Sequence, residues 1–165
     1  RIPLPETICG LTRGEITNNE LTNPGLGYTV PYNGPEQKAT IYIYDLGLAT
    51  VPDDPTTEVV RKHFNDSIAQ IIETKSAGFY SNVEIKNKFG TGDPATGVEF
   101  LCCEFRALEK GKEFETFLFL TSHSEHFVKV RFTTSMHVRS SIYAREFADS
   151  VAKLLWPERK RRDLQ

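Results

Sequence analysis

The sequence predicts an α+β domain: an antiparallel β-sheet with two main amphipathic helices packed on it, in the order β-β-α-β-β-β-β-α. Strand-like runs rich in β-branched and aromatic residues, separated by short turn signals, supply the sheet. Two segments with apolar residues at helical spacing supply the helices. No repeat of fixed period and no second core is visible, and 165 residues suit one domain. A chain of that length buries roughly two-thirds of its unfolded surface and needs neither disulfide nor metal to fold. The expected organisation is an N-terminal arm at 1–24, a single domain at 25–157 and a basic tail at 158–165.

The arm is rich in Pro, Thr and Asn and ends at the turn signature Asn23-Pro24-Gly25. A hairpin carrying tyrosines follows, with strands at Leu26 to Tyr32 and Lys38 to Asp45 around Asn33-Gly34-Pro35-Glu36-Gln37. Alternate side chains share a face, so Tyr28, Val30 and Tyr32 project together, as do Thr40, Tyr42 and Tyr44. If the turn centres near Pro35, Tyr28 lies opposite Tyr42 and Leu26 opposite Tyr44. That register gathers Tyr28, Tyr42 and Tyr44 on one face and leaves Ile41 and Ile43 to fill the core from the other.

Asp53-Asp54-Pro55 reads as a helix start, with Asp54 as N-cap and Pro55 in the first helical position. Val60, Phe64, Ile68, Ile71 and Ile72 then recur at helical spacing up to Gly78. Residues 81–89 alternate weakly, with Val83 and Ile85 as the apolar pair, and residues 90–97 form a glycine-rich loop. Three strands follow: Val98 to Leu108, Phe114 to Ser122 and His126 to Thr134. Phe117-Leu118-Phe119-Leu120 is apolar on both faces, as a central strand covered on both sides requires. Val128, Val130 and Phe132 alternate with Lys129, Arg131 and Thr133, which predicts one buried and one wet face. The last helix begins at Ser140 or Ser141, carries Tyr143, Phe147, Val151, Leu154 and Leu155 on one stripe, and stops at Pro157.

The net charge is −2, and residues 159–162 hold four of the cations. Without residues 158–165 the body has 16 basic and 20 acidic side chains. Such a body argues against a nucleic-acid groove, which needs Lys and Arg clustered on one face. The longest apolar run is shorter than the roughly 20 residues that cross a bilayer, so no membrane span is expected. The chain opens Arg1-Ile2-Pro3. That opening reads as a mature form from which a secretory leader has been removed, or as a shortened chain.

Element order, the run from Tyr28 to Asp45, the meander through Phe132 and the closing helix at Trp156-Pro157 resemble the Mog1/PsbP-like fold group. Its members include photosystem accessory proteins, a nuclear-transport cofactor and exported bacterial proteins. Gly25-Leu26-Gly27-Tyr28 and Ile41-Tyr42-Ile43-Tyr44-Asp45-Leu46-Gly47 also resemble uncharacterised exported bacterial proteins. The resemblance implies a non-catalytic accessory or binding role and transfers no functional residue.

Local chemistry is sparse. His123-Ser124-Glu125-His126 puts two imidazoles and a carboxylate within four residues, but at i and i+3 in a hairpin turn the cluster reads better as a polar turn than as a metal site. No Gly-x-Ser-x-Gly elbow frames a serine nucleophile. Cys102 and Cys103 are adjacent in a strand and point to opposite faces, so they read as buried free thiols, with a Cys9 bridge to one of them as the alternative. Gly90-Thr91-Gly92-Asp93 leads into a strand and lacks the lysine of a phosphate loop. No cofactor is expected.

The tyrosines Tyr28, Tyr32, Tyr42 and Tyr44 are therefore the candidate binding residues, because aromatics are favoured at interfaces as well as in cores. The reading is an exported accessory or binding protein, periplasmic or secreted, with a protein or small-molecule partner. The alternatives are a cytoplasmic location and a small hydrolase or isomerase with a pocket between sheet and helix.

Overall fold

The computed structural model describes residues 3–76, 78, 80–91 and 99–157. The basic tail and the part of the glycine-rich loop from Gly92 to Gly97 lie outside the described residues. All the described strands join one antiparallel sheet: β1 (Thr7–Ile8), β2 (Leu11–Arg13), β3 (Thr17–Asn18), β4 (Tyr28–Asn33), β5 (Gln37–Tyr44), β6 (Asn82–Thr91), β7 (Phe100–Glu109), β8 (Lys112–His123) and β9 (His126–Ser135). Their order is β1-β2-β4-β5-β9-β8-β7-β6, with β3 also paired to β4. Helix α1 (Glu58–Ser76) covers one face and α2 (Ser140–Leu155) the other. This is the α+β arrangement expected from the sequence, extended by three short strands from the arm.

The turns explain the meander. Lys110-Gly111 and Ser124-Glu125 each place two consecutive residues at positive φ, +50° and +77°, then +49° and +62°. Two-residue hairpin loops of that hand match the right-handed twist of the strands they join. Tight turns therefore fix β7, β8 and β9 in register.

Helix α1 starts later than expected. The Asp54 carboxylate accepts the Thr56 N–H at 2.8 Å and its hydroxyl at 2.7 Å, closing a local turn. The Arg61 N–H then donates to the Thr57 carbonyl, and the helix runs from Glu58. The signal at Asp54 and Pro55 is real but caps the turn before the helix. Gly78, at φ +81°, closes the far end with its N–H on the Lys75 carbonyl.

The hairpin register differs from expectation by one residue. Tyr28 pairs with Ile43 and Thr29 with Tyr42, because Asn33 pairs with Lys38 across the loop. A one-residue slip moves every side chain of a strand to the other face. Tyr28, Val30 and Tyr32 consequently share the α2 face with Ala39, Ile41 and Ile43, whereas Tyr42 and Tyr44 share the α1 face. There is no single tyrosine face.

Two further expectations are corrected on the α1 side. Lys129 and Arg131 do not look into solvent, since β9 lies between β5 and β8 and α1 packs on that face of the sheet; both side chains are half-buried. Ile85 is 50% exposed and only Val83 of the predicted pair is buried. The register of β6 shifts between Ile85 and Asn87, leaving Lys86 unpaired against β7. This bulge turns Val83 and Ile85 toward α1 while Phe89, opposite Cys102, packs on the α2 core.

Candidate functional site

Two cores sandwich the sheet. The α2 core joins Val30, Ile41, Phe117, Phe119, Val130 and Phe132 to Phe147 and Val151, all almost inaccessible. Phe117 and Leu118 to Leu120 are buried on both faces, as expected for a central strand. Cys102 belongs to the α2 core and Cys103 to the α1 core; both are free, and burial pushes the Cys103 thiol up to about 11. Cys9 is exposed and free, 3.4 Å from the Ser150 hydroxyl on α2.

Helix α1 lies over β6, β7 and β8. Its apolar stripe, Val60, Phe64, Ile68 and Ile71, packs on Val83, Phe105 and Leu118. A second, polar stripe of His63, Ser67, Gln70 and Thr74 follows the same helical spacing along the side toward β9 and β5. Facing it, β9 and β5 present Lys129, Arg131, Tyr42 and Tyr44. Between them lies a pocket of about 150 Å³ lined by Ser67, Gln70, Thr74, Lys129 and Arg131.

The electrostatics of this layer are one-sided. The Lys129 ammonium sits 4.7 Å from the Tyr42 ring centre and 5.2 Å from that of Tyr44, the geometry of a cation held on aromatic faces. Burial, with Arg131 beside it, brings Lys129 down to about 8. Burial also lowers Arg131, whose Nη2 donates to the Thr116 hydroxyl at 3.4 Å. At the end of the layer, burial and the Lys129 charge hold His63 at about 4. Burial also raises Tyr44, and its hydroxyl shares a 2.6 Å hydrogen bond with the neutral His63 Nε2. Among the described residues no carboxylate pairs with Lys129 or Arg131; the two ion pairs are Lys62 with Asp66 and Lys86 with Glu115.

The four candidate tyrosines thus occupy different settings. Tyr28 is 44% exposed, at the end of the hairpin. Tyr32 is fully buried against Phe147 and donates its hydroxyl to the Pro5 carbonyl at 2.7 Å, fastening the arm. Tyr42 is half-buried beside Lys129, and Tyr44 is 5% exposed, packed on His63 and Phe127. His123 and His126 pair across their turn but do different things: His123 stacks edge-on against Trp156, and His126 bonds through Nδ1 to the Ser124 carbonyl. Among the described residues no group of three His, Cys, Asp or Glu could hold a metal.

Sequence reasoning missed Lys129 and Arg131. A strand alternating apolar and basic residues reads as half-solvated unless its place in the sheet is known. The available signal was the second stripe of α1, polar where an ordinary surface helix has only one face to bury.

A second groove, of about 280 Å³, opens beside α2 and is lined by Phe89, Glu104, Phe117, Ser141 and Arg145 among others. Burial raises Glu104. Its mixed charges distinguish it from the cationic pocket. No described helix is long and apolar enough to cross a membrane.

The fold is PsbP-like. The solution structure of cyanobacterial PsbP from Synechocystis sp. PCC 6803 matches over 87% of this chain and 92% of that one, with a TM-score of 0.54 and 12% identity. A crystal structure of a protein of unknown function from Pseudomonas aeruginosa matches over 80% of this chain and 74% of its own at 12% identity, with a TM-score of 0.34. No family model matches the chain, and no curated protein sequence matches it.

Proposed function

We propose that this chain is a non-catalytic, exported accessory or binding protein that engages a partner protein at the end of the sheet around Tyr28. The observation that supports this best is where its exposed apolar side chains fall. Ten large hydrophobics are exposed among the described residues, and six of them (Ile16, Leu21, Leu26, Tyr28, Leu46 and Leu48) come from residues 16–48. Scattered exposed apolar residues are ordinary, whereas a cluster marks an interaction surface.

Backbone contacts tie these segments together. The Asn19 N–H donates to the Gly27 carbonyl and the Leu46 N–H to the Gly25 carbonyl, both at 2.8 Å. Gly27, at φ +57°, passes so close to β5 that a Cβ would stand 1.8 Å from the Ile43 carbonyl oxygen. The Glu20 carboxylate accepts the N–H groups of Gly25 and Gly27. A rigid frame therefore displays Leu26, Tyr28 and Leu46, and ordering them on binding costs little. Of the candidate tyrosines, Tyr28 offers contact area, while Tyr32 holds the arm behind it.

A photo-crosslinking residue at position 28, expressed in the native source and followed by fractionation, tests the reading. The expected result is one discrete protein adduct in an exported fraction, lost when Leu26→Ser and Leu46→Asn are introduced together. Asn tolerates the positive φ of +58° at position 46. Absence of an adduct, or an adduct indifferent to both changes, would overturn it.

A further inference from the structure

We propose that the pocket between α1 and β9 is a binding site for a small tetrahedral oxoanion of the inorganic phosphate or sulfate class. The inference stands on the cationic pocket alone and is independent of the surface around Tyr28. Lys129 and Arg131 alternate along β9, so their side chains leave the same face about 7 Å apart. Two positive charges enter one pocket, and among the described residues no carboxylate answers them. Asp66, an acid on the same helix, is paired with Lys62 on its outer face.

The polar atoms around the cations are incompletely used. The Arg131 Nε and the Ser67 hydroxyl are both buried and have no hydrogen-bond partner, and Ser67 is only 2% exposed. Buried donors are ordinarily paired, and an unpaired one next to an uncompensated charge is costly. An anion seated between Ser67, Lys129 and Arg131 would satisfy all three at once. The tyrosine rings steady the Lys129 ammonium through their faces, but the Tyr44 hydroxyl is committed to His63 and supplies no anionic partner.

Size and donor count choose the ligand class. Pockets for cofactors and drug-sized molecules run to roughly 300–1,000 Å³, and this one holds about 150 Å³. Nucleotides are too large. Gln70 at the mouth adds an amide to the Ser67 hydroxyl and the two cations, a set that suits four oxygens better than the two of a carboxylate; the Thr74 hydroxyl already donates to the Ile71 carbonyl. Two cations also match the charge of a dianion.

Calorimetric titration of the full chain with sodium phosphate, sulfate and acetate, at constant ionic strength set by sodium chloride, tests the assignment. Phosphate and sulfate should bind saturably and acetate at least tenfold more weakly. Gln70→Glu places a carboxylate at the mouth on an exposed position, where it answers the two cations; phosphate binding should fall at least tenfold with the thermal midpoint of the free protein equal or higher. Ser67→Ala should weaken binding severalfold. Lack of saturable binding, acetate binding equal to phosphate, or phosphate affinity unchanged in Gln70→Glu would each overturn the proposal.

Discussion

Strand β9 contributes Val128, Val130 and Phe132 to one side of the sheet and Phe127, Lys129 and Arg131 to the other. On the α2 side those residues meet Phe147 and Val151, with Ala144, Ala148 and Ala152 letting the helix sit close to the sheet. On the α1 side they meet a helix whose apolar stripe lies over β7 and β8 and whose polar stripe lies over β9. The first side is sealed by complementary apolar volume. The second accepts buried charge in exchange for a place where a ligand can be held, so one strand carries stability on one face and chemistry on the other.

The largest expected effect tests the sealed side. Phe132→Ala should lower unfolding free energy by about 3–5 kcal/mol, since Phe132 packs on Phe117 and Phe147 and the space cannot collapse. Urea denaturation measures it, and a loss below about 1 kcal/mol would show that the α2 core is looser than its burial implies.

On the charged side, pH is the sharper tool. His63 is held at about 4 against 6.5 unfolded, so below pH 6.5 the unfolded chain binds a proton that the folded chain refuses. Stability contributed by neutral His63 is present above about 6.5 and lost as the pH falls toward 4, by roughly 1–2 kcal/mol once solvent screening of this half-exposed ring is taken into account. The groups facing it are Tyr44, Phe127 and Lys129, with Lys62 and Asp66 outside. In His63→Leu the same acid limb should be shallower. Parallel limbs in the two proteins would remove His63 as the cause.

Lys129 shifts in the same direction, in a higher pH window. Its folded value of about 8 lies below the usual lysine range, so the charged form is penalised in the folded state at all pH values below 8. That penalty fades as the pH rises to about 10.4. Lys129→Met should therefore raise stability by about 1–2 kcal/mol at pH 7, with the gain gone above pH 10.4. A stability loss at pH 7 would mean that the tyrosine faces more than offset desolvation.

Smallest is the effect of Tyr28→Ser on stability, below about 1 kcal/mol, because nearly half of the residue is in water. Its effect on partner capture should be large. A melting temperature lowered as much as by a core substitution would make Tyr28 structural.

Much of this architecture was legible in the chain. The stripes of Val60 to Ile71 and Phe147 to Leu155, and the doubly apolar run at Phe117 to Leu120, record burial directly, and burial is what periodicity measures. The hairpin register was not legible, because Gly34 to Gln37 accommodate loops differing by one residue and only the closed pairing decides between them. The cationic pocket was still less so. Lys129 and Arg131 look solvated in sequence; only the pairing of β5 with β9, more than about eighty residues apart in every pair, buries them between strands.

The bulge at Lys86 has a meaning for the molecule in company. Among the described residues the path of the sheet runs from β1 to β6, and a free margin at either end is a template for another chain. One margin ends in β1, two residues long. The other, β6, is ten residues long, and there the unpaired Lys86 breaks the even row of backbone donors and acceptors while Lys86 and Lys88 add charge. A kinked, positively charged margin pairs poorly with a copy of itself. The bulge that lets β6 serve both cores therefore also works against edge-to-edge pairing of this margin with another chain.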